Sequence, residues 1–129
     1  MEQFRICKNC DFSGVYAIVN VDNHKVYIGS SRNVKSRLYN HSYLLKIGKH
    51  QNKEMQFDYN NGDAFECKVI SKVPLYLTYN KDRYLHYYER IAISLLDSGN
   101  PQKGYNKKDT DEDISILNNI ARFKAEMEV

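Results

Sequence analysis

Five polar side chains with complementary chemistry are spread along the chain: Tyr16, Tyr27, Arg37, His41 and Glu89. An arginine is a permanent cation whose planar donor fork fits a phosphate, and a glutamate offers hard oxygen ligands to a divalent ion. Tyrosine and histidine can move a proton, although a tyrosine pKa of about 10 makes a poor base at neutral pH unless a nearby cation lowers it. Water activation, neutralisation of phosphoryl charge and stabilisation of a leaving oxygen are what phosphodiester hydrolysis requires. Each of these residues alone is more typical of packing or of a solvated surface, so the joint pattern carries the prediction.

A basic segment at residues 23–53 contains seven Lys and Arg residues and no Asp or Glu. The net charge is only +3, because residues 1–108 carry 17 bases against 10 acids whereas residues 109–129 carry 2 against 6. The segment predicts an electropositive face for a polyanion, with a solvated lysine-rich surface as the alternative. The expected contacts to a nucleic-acid backbone are Lys25, Ser30, Ser31, Arg32, Lys35, Lys46 and Lys49.

Three runs of strand-forming residues set the expected fold class. Residues 14–20, 25–29 and 65–71 are rich in β-branched or alternating apolar residues, and turn-forming residues join the first two runs into a hairpin. Together with helices between and after them, they predict the order β-β-α-α-β-α-α. This order is typical of an α+β domain, with a small, mostly antiparallel three-stranded sheet flanked by helices.

The predicted helices carry the remaining candidates. Residues 34–47 have helical spacing between an Asn33 cap and Gly48, and there Arg37 and His41 share one face. Further helices are predicted at residues 52–59, from a cap at Asn80 or Asp82 to about residue 97, and at residues 111–127. The expected buried side of the first helix comprises Val34, Leu38, Leu45 and Tyr39.

Two short motifs, GVY at residues 14–16 and YIG at residues 27–29, resemble the paired signature of the GIY-YIG nuclease family. The stretch YIGSSRNVKSRLYNH is similar to the second strand and arginine-bearing helix of that family. Arg37 takes the position of its arginine, and His41 that of a histidine in homing members. His50 also resembles a histidine of phage homing endonucleases. Val15, where the family has isoleucine, is a conservative departure.

Three later elements extend the resemblance in the same order. FECKVI at residues 65–70 is similar to the third strand of the family, Glu89 to its metal-binding glutamate, and GYN at residues 104–106 to its closing motif. The resemblance covers about residues 13–108, with a lead-in at 1–12 and an acidic helix or tail at 109–129. It adds His50 and Asn106 to the expected nucleic-acid contacts.

The resemblance implies a metal-dependent endonuclease that hydrolyses DNA. Glu89 would bind Mg²⁺ (or Mn²⁺), and a single carboxylate implies a single metal ion. One of Tyr16 and Tyr27 would relay the proton of water with the help of His41. The sequence leaves open which, and our hypothesis assigns the base to Tyr16 and the orientation of water or phosphate to Tyr27. Arg37 would meet the scissile phosphate. The alternative function is a catalytically inactive nucleic-acid-binding module on the same scaffold.

The partners expected from the resemblance are DNA and, in a dimer, a second copy of the chain. Homing enzymes of the family usually join the catalytic domain to a separate DNA-binding region, and only about 20 residues follow the domain here. We therefore expect a monomer or homodimer whose specificity comes from the domain, from oligomerisation or from a partner.

Composition limits the broad class of protein. A chain of 129 residues with 42% hydrophobic residues, 6 Gly and 2 Pro is neither disordered nor fibrous. No apolar run approaches the 20 or so residues of a membrane span, and the N-terminus lacks a secretory signal. Three cysteines are too few for a disulfide framework, so we expect an intracellular, cytoplasmic protein without a membrane partner. Cys7 and Cys10 are at most half of a zinc site, and Cys67 is expected in the core.

Overall fold

The computed structural model describes residues 2–74 and 83–106, which build one four-stranded sheet with helices on its two faces. The strands are β1 (Phe4–Arg5), β2 (Gly14–Asn20), β3 (Val26–Ser31) and β4 (Phe65–Lys72). The helices are α1 (Val34–Lys46), α2 (Lys53–Asn60) and α3 (Arg83–Leu96). The expected α+β class with a small, mostly antiparallel sheet is confirmed.

The sheet has one strand more than the sequence predicted. Its order is β1-β4-β2-β3, with β2 antiparallel to both neighbours and β1 parallel to β4. The short β1 lies within the segment that we expected to be an irregular lead-in, where Phe4 pairs with Phe65. Two residues carry no readable period, so only the pairing with β4 makes this segment a strand.

Alternation along the two central strands divides the core. Tyr16 and Ile18 on β2 face α1, and Val15 and Ala17 face α3. The α1 side holds most of the large core residues, among them Leu38, Leu45, Met55 and Phe65. The α3 side is a smaller cluster in which Ile28 meets Ala92 and Ile93.

The first helix begins and ends where the sequence signals stand. The Asn33 side chain accepts a hydrogen bond from the Ser36 amide at 3.0 Å, and Gly48 follows the helix with φ of +74°. Val34, Leu38 and Leu45 are buried as expected, but Tyr39 is 57% exposed, so its assignment to the buried side was wrong. Tyr39 lies one residue beyond Leu38, which turns it about 100° away from the core.

A closing segment, residues 103–106, covers the free edge of β3. Gly104 forms a parallel bridge with Val26, whose N–H donates to the Lys103 carbonyl at 3.2 Å. The Tyr105 N–H in turn donates to the Val26 carbonyl at 2.9 Å. The segment was too short for the sequence to predict its secondary structure.

Two expectations fall outside the described residues, namely the cap at Asn80 or Asp82 and the helix at residues 111–127. None of the helices in the described ranges is long and apolar enough to cross a membrane.

Candidate active site

A cleft opens beside α1, at the junction of β3, the loop before α2 and the closing segment. Three predicted catalytic side chains line it, from Tyr27 on β3 and from Arg37 and His41 on α1. Arg37 is exposed at its mouth, whereas His41 is buried. The rest of its wall is mixed in character and is formed by Asn40, Leu44, His50, Gln51, Asn52, Tyr105 and Asn106.

Tyr16 lies behind this wall and is 1% exposed. Its hydroxyl is 2.8 Å from His41 Nε2, and the rings of Tyr16 and Tyr27 both meet the His41 ring edge-on, with centroids 5.7 and 5.5 Å away. Three of the predicted catalytic residues, Tyr16, Tyr27 and Arg37, therefore lie around a fourth, His41. His41 is the centre of the group because α1 presents it from the helix face that packs on the sheet.

A glycine makes room for the Tyr16 hydroxyl. Tyr16 and Gly29 are direct partners across β2 and β3, and a Cβ at position 29 would lie 2.3 Å from the Tyr16 hydroxyl oxygen. Any side chain at this position would displace the phenol ring. The final glycine of the YIG motif is therefore required by the tyrosine of the GVY motif.

A chain of hydrogen bonds extends from Tyr16 through two histidines. His41 Nδ1 is 2.7 Å from His50 Nε2, and the main-chain N–H of Asn52 donates to His50 Nδ1 at 3.0 Å. His50 was predicted to contact nucleic acid; the structure buries it and sets its ring against His41. Asn52, which sequence reasoning missed, has only its helix-cap character as a signal.

Burial governs the protonation of these groups. It lowers the pKa of His41 to about 3, with the charge of Arg37 and the presence of His50 acting in the same direction. Burial, followed by Arg37, also lowers the pKa of His50. Both histidines are therefore neutral at pH 7.

The two tyrosines are harder to ionise than free tyrosine. Burial raises the pKa of Tyr16, Tyr27 adds to the rise, and the charge of Arg37 opposes it. Burial also raises the pKa of Tyr27, with Glu89 acting in the same direction and Arg37 against it. Arg37 is thus the side chain that favours a phenolate in either position.

Glu89 lies on the α3 side of the edge strand β3 and is not among the residues that line the cleft. The Ser30 hydroxyl donates to its Oε1 at 3.1 Å, and His86 Nδ1 lies 3.8 Å from its Oε2. Burial raises the pKa of this carboxyl, while the Ser30 hydrogen bond and His86 lower it. Its charge raises the pKa of both Tyr16 and Tyr27, so the carboxylate acts electrostatically on the tyrosines across β3.

The Glu89 carboxylate suits a divalent cation that takes a single ligand from the protein. The Glu89 side chain is 21% exposed. Within residues 2–74 and 83–106, no group of three His, Cys, Asp or Glu side chains could enclose a metal ion. Mg²⁺ bound mainly through water and substrate needs no such enclosure.

The expected nucleic-acid contacts are scattered over several environments. Lys35 and Lys49 are exposed, while Lys46 lines a separate groove with Tyr39. Arg32 is exposed near the end of β4, beside Lys72. None of these four bases lines the cleft.

Four other expected contacts are engaged within the domain. Lys25 forms an ion pair with Glu54, and Ser30 holds Glu89. The Ser31 hydroxyl donates to the Asn33 carbonyl at 2.9 Å. Asn106 donates to the Ile28 carbonyl at 2.9 Å and accepts from the Ile28 N–H at 2.8 Å, so its amide completes the edge of β3.

Two of the three cysteines, Cys10 and Cys67, are buried in the core, and Cys7 is partly buried against it. Cys10 is fully buried and donates to the Cys7 carbonyl at 3.1 Å, and Cys67 is buried as expected. Burial and the neighbouring Cys10 raise the pKa of Cys7 to about 12.

Comparison with known proteins identifies the family to which this domain belongs. Residues 12–106 match a family described as "GIY-YIG catalytic domain". The chain belongs to the GIY-YIG family. It carries an endonuclease domain of that family, and GIY-YIG nucleases generally use a divalent metal ion. The resemblance seen in the sequence is thereby confirmed.

Relatives from phage resemble this GIY-YIG domain. The chain is 33% identical over 98 residues to "Intron-associated endonuclease 1" of Enterobacteria phage T4, and the match covers 75% of the chain but 37% of that protein. Two solved structures of the catalytic domain of the homing endonuclease I-TevI, one of them a variant with a glutamate replaced by alanine, are similar in fold. They have TM-scores of 0.64 and 33% and 34% identity, over 76% and 75% of this chain and 95% and 99% of theirs.

Proposed function

We propose that the protein is a metal-dependent endonuclease that hydrolyses DNA phosphodiester bonds. The main observation behind this proposal is that Tyr16, Tyr27 and Arg37 lie around His41 beside one cleft. A polyanionic substrate suits the basic segment, which is acid-free over residues 23–53. The similarity to an intron-associated endonuclease of a phage supports DNA as the substrate and a phage or mobile-element origin.

Arg37 is proposed to bind the scissile phosphate. It is the exposed cation at the cleft mouth, and its planar fork can pair with two phosphoryl oxygens at once. As charge builds on those oxygens in the transition state, a fixed guanidinium stabilises them without reorganising.

Tyr16 is proposed as the proton acceptor and Tyr27 as the group that orients water or phosphate. The feature that favours Tyr16 is the hydrogen bond between its hydroxyl and His41, because the charge of Arg37 favours a phenolate at either tyrosine. Because Tyr16 is 1% exposed, this assignment requires substrate binding to open the wall in front of its hydroxyl. Single Tyr→Phe variants separate the roles, and equal residual activity in both would contradict them.

Glu89 is proposed to hold a Mg²⁺ or Mn²⁺ ion. When bound, such an ion supplies charge stabilisation for the phosphoryl group and for the leaving 3′ oxygen. Ser30 fixes one carboxylate oxygen of Glu89 and so orients the other.

The quaternary state follows from the same chemistry. A single active site cuts one strand at a time, so we propose a nickase as monomer and a double-strand cutter as homodimer. Specificity then comes from the domain itself, from the second copy or from a partner.

The test is cleavage of a randomised-sequence duplex pool, with free ends identified by sequencing so that no recognition site need be known. Wild type with Mg²⁺ should produce new ends, and EDTA should abolish them. Glu89→Gln should lose cleavage while retaining binding in gel-shift assays, whereas Glu66→Gln, on the far strand β4, should match wild type. Binding without cleavage by wild type would support the inactive-module alternative.

A further inference from the structure

The hydrogen bonds behind the cleft have a fixed direction, and a main-chain amide sets it. The Asn52 N–H lies 3.0 Å from His50 Nδ1, and an amide nitrogen can only donate. His50 Nδ1 must therefore accept, which places the proton of this ring on Nε2. A doubly protonated His50 could not accept this bond.

The direction of the next two hydrogen bonds, from His50 to His41 and from His41 to Tyr16, follows in the same way. His50 Nε2–H points at His41 Nδ1 over 2.7 Å, so His41 accepts there and carries its own proton on Nε2. That Nε2–H lies 2.8 Å from the Tyr16 hydroxyl oxygen and donates to it. The ring centroids of the two histidines are 4.9 Å apart, and the ring planes are inclined by 25°.

Further hydrogen bonds fix the positions of His50 and Asn52, where this series of hydrogen bonds begins. The His50 N–H donates to Gln56 Oε1 at 3.0 Å, and Gln56 Nε2 donates to the Leu45 carbonyl at the end of α1. The Asn52 side chain accepts from the Met55 N–H at 3.0 Å, which caps α2, and its amide donates to the Tyr105 carbonyl at 2.6 Å. Asn52 is thus tied to both α2 and the closing segment.

We propose that His50 is a positioning residue that locks His41 in the Nε2–H form, so that His41 donates to Tyr16 and does not take its proton. Resting on the proposed function, this assigns His41 the stabilisation of a Tyr16 phenolate. It also leaves the Tyr16 hydroxyl hydrogen free to bond to a partner other than His41.

The proposal predicts the positions of two ring protons, which can be read without any cleavage assay. Long-range ¹H–¹⁵N spectra of the full chain at pH 7 should show His41 and His50 both neutral and both protonated at Nε2. An Nδ1–H form or an imidazolium for either ring would overturn the proposal. Absence of nuclease activity would count against the proposed function and leave these spectra unaffected.

Two substitutions connect the proton position to turnover. Gln can donate from a comparable position, so His50→Gln should keep His41 as Nε2–H and keep kcat within a few-fold of wild type. His50→Leu removes the donor, so His41 should populate the Nδ1–H form and kcat should fall by about 10- to 100-fold, with KM nearly unchanged. The matched control is His24→Asn, at an exposed turn histidine with φ of +67°.

The results with the two His50 variants either support or overturn the positioning role. Unchanged kcat in His50→Leu, or a lowered kcat with His41 still entirely Nε2–H, would overturn the positioning role. Should His50→Leu fail to fold, the wild-type spectra and the activity of His50→Gln decide the question.

Discussion

Tyr16 occupies space that Gly29 leaves open, so the two motif residues form one packing unit. We expect Gly29→Ala to lower the free energy of unfolding by about 1–3 kcal/mol, because the new Cβ overlaps the phenol ring. Urea unfolding should show this loss, and cleavage should fall with it. The same substitution in a Tyr16→Leu background should cost less; an equal cost in both backgrounds would contradict the packing argument.

Arg37 is expected to act through the transition state. Arg37→Ala should lower kcat by about 100- to 1000-fold, as the loss of a preorganised charge-stabilising donor does. Arg37→Lys should recover only part of this loss, because a lysine keeps the charge but not the two-pronged geometry. Steady-state kinetics on an end-labelled duplex measure both. A full recovery by lysine would show that only charge matters.

His41 should make the fold sensitive to acid. Its pKa is about 3 in the folded chain and about 6.5 when unfolded, so between these values the unfolded chain binds more protons. The free energy of unfolding therefore falls as pH falls from 6.5 toward 3, by at most about 1.4 kcal/mol per pH unit from this group. Urea unfolding at pH 7 and pH 4.5 should show a smaller loss in His41→Gln than in wild type. His24→Asn is the control, and a loss as large in His41→Gln would contradict this role.

At the scale of elements, the edge strand β3 carries the site and depends on the closing segment. Asn106 satisfies both the N–H and the C=O of Ile28, as a neighbouring strand would. The closing segment thereby removes an unpaired edge next to Tyr27 and Ser30.

Removing this amide should loosen β3. We expect Asn106→Leu to lower the free energy of unfolding by about 1–3 kcal/mol, because two main-chain groups of a buried residue lose their partners. Amide exchange at Ile28 should quicken in the same variant. Gln102→Leu, at an exposed loop position, should change neither quantity, and unaltered exchange in Asn106→Leu would contradict the role.

For the whole molecule, charge distribution should govern substrate affinity. Lys35 and Lys49 are exposed and belong to the acid-free segment. Replacing either by Ala should weaken duplex binding at all sequences and reduce the slope of log K against log salt by about 1. Lys68→Ala, on β4, is the control, and an unchanged slope in both variants would exclude the two lysines from the interface.

The sequence by itself determined what depends on neighbours along the chain. The β2–β3 hairpin, the Asn33 cap, the Gly48 stop and the order of motifs are set by local backbone preferences and short-range periodicity. These were enough to identify the family and to place Arg37 and His41 on one helix face.

The tertiary structure decided what depends on residues far apart in sequence. It added β1 to the sheet, turned His50 inward to bond His41, and paired Asn106 with Ile28. It also placed Glu89 beside Ser30 on the α3 side of β3, outside the cleft lining. None of these leaves a local pattern, because each partner is chosen by packing and by the need to satisfy buried polar groups.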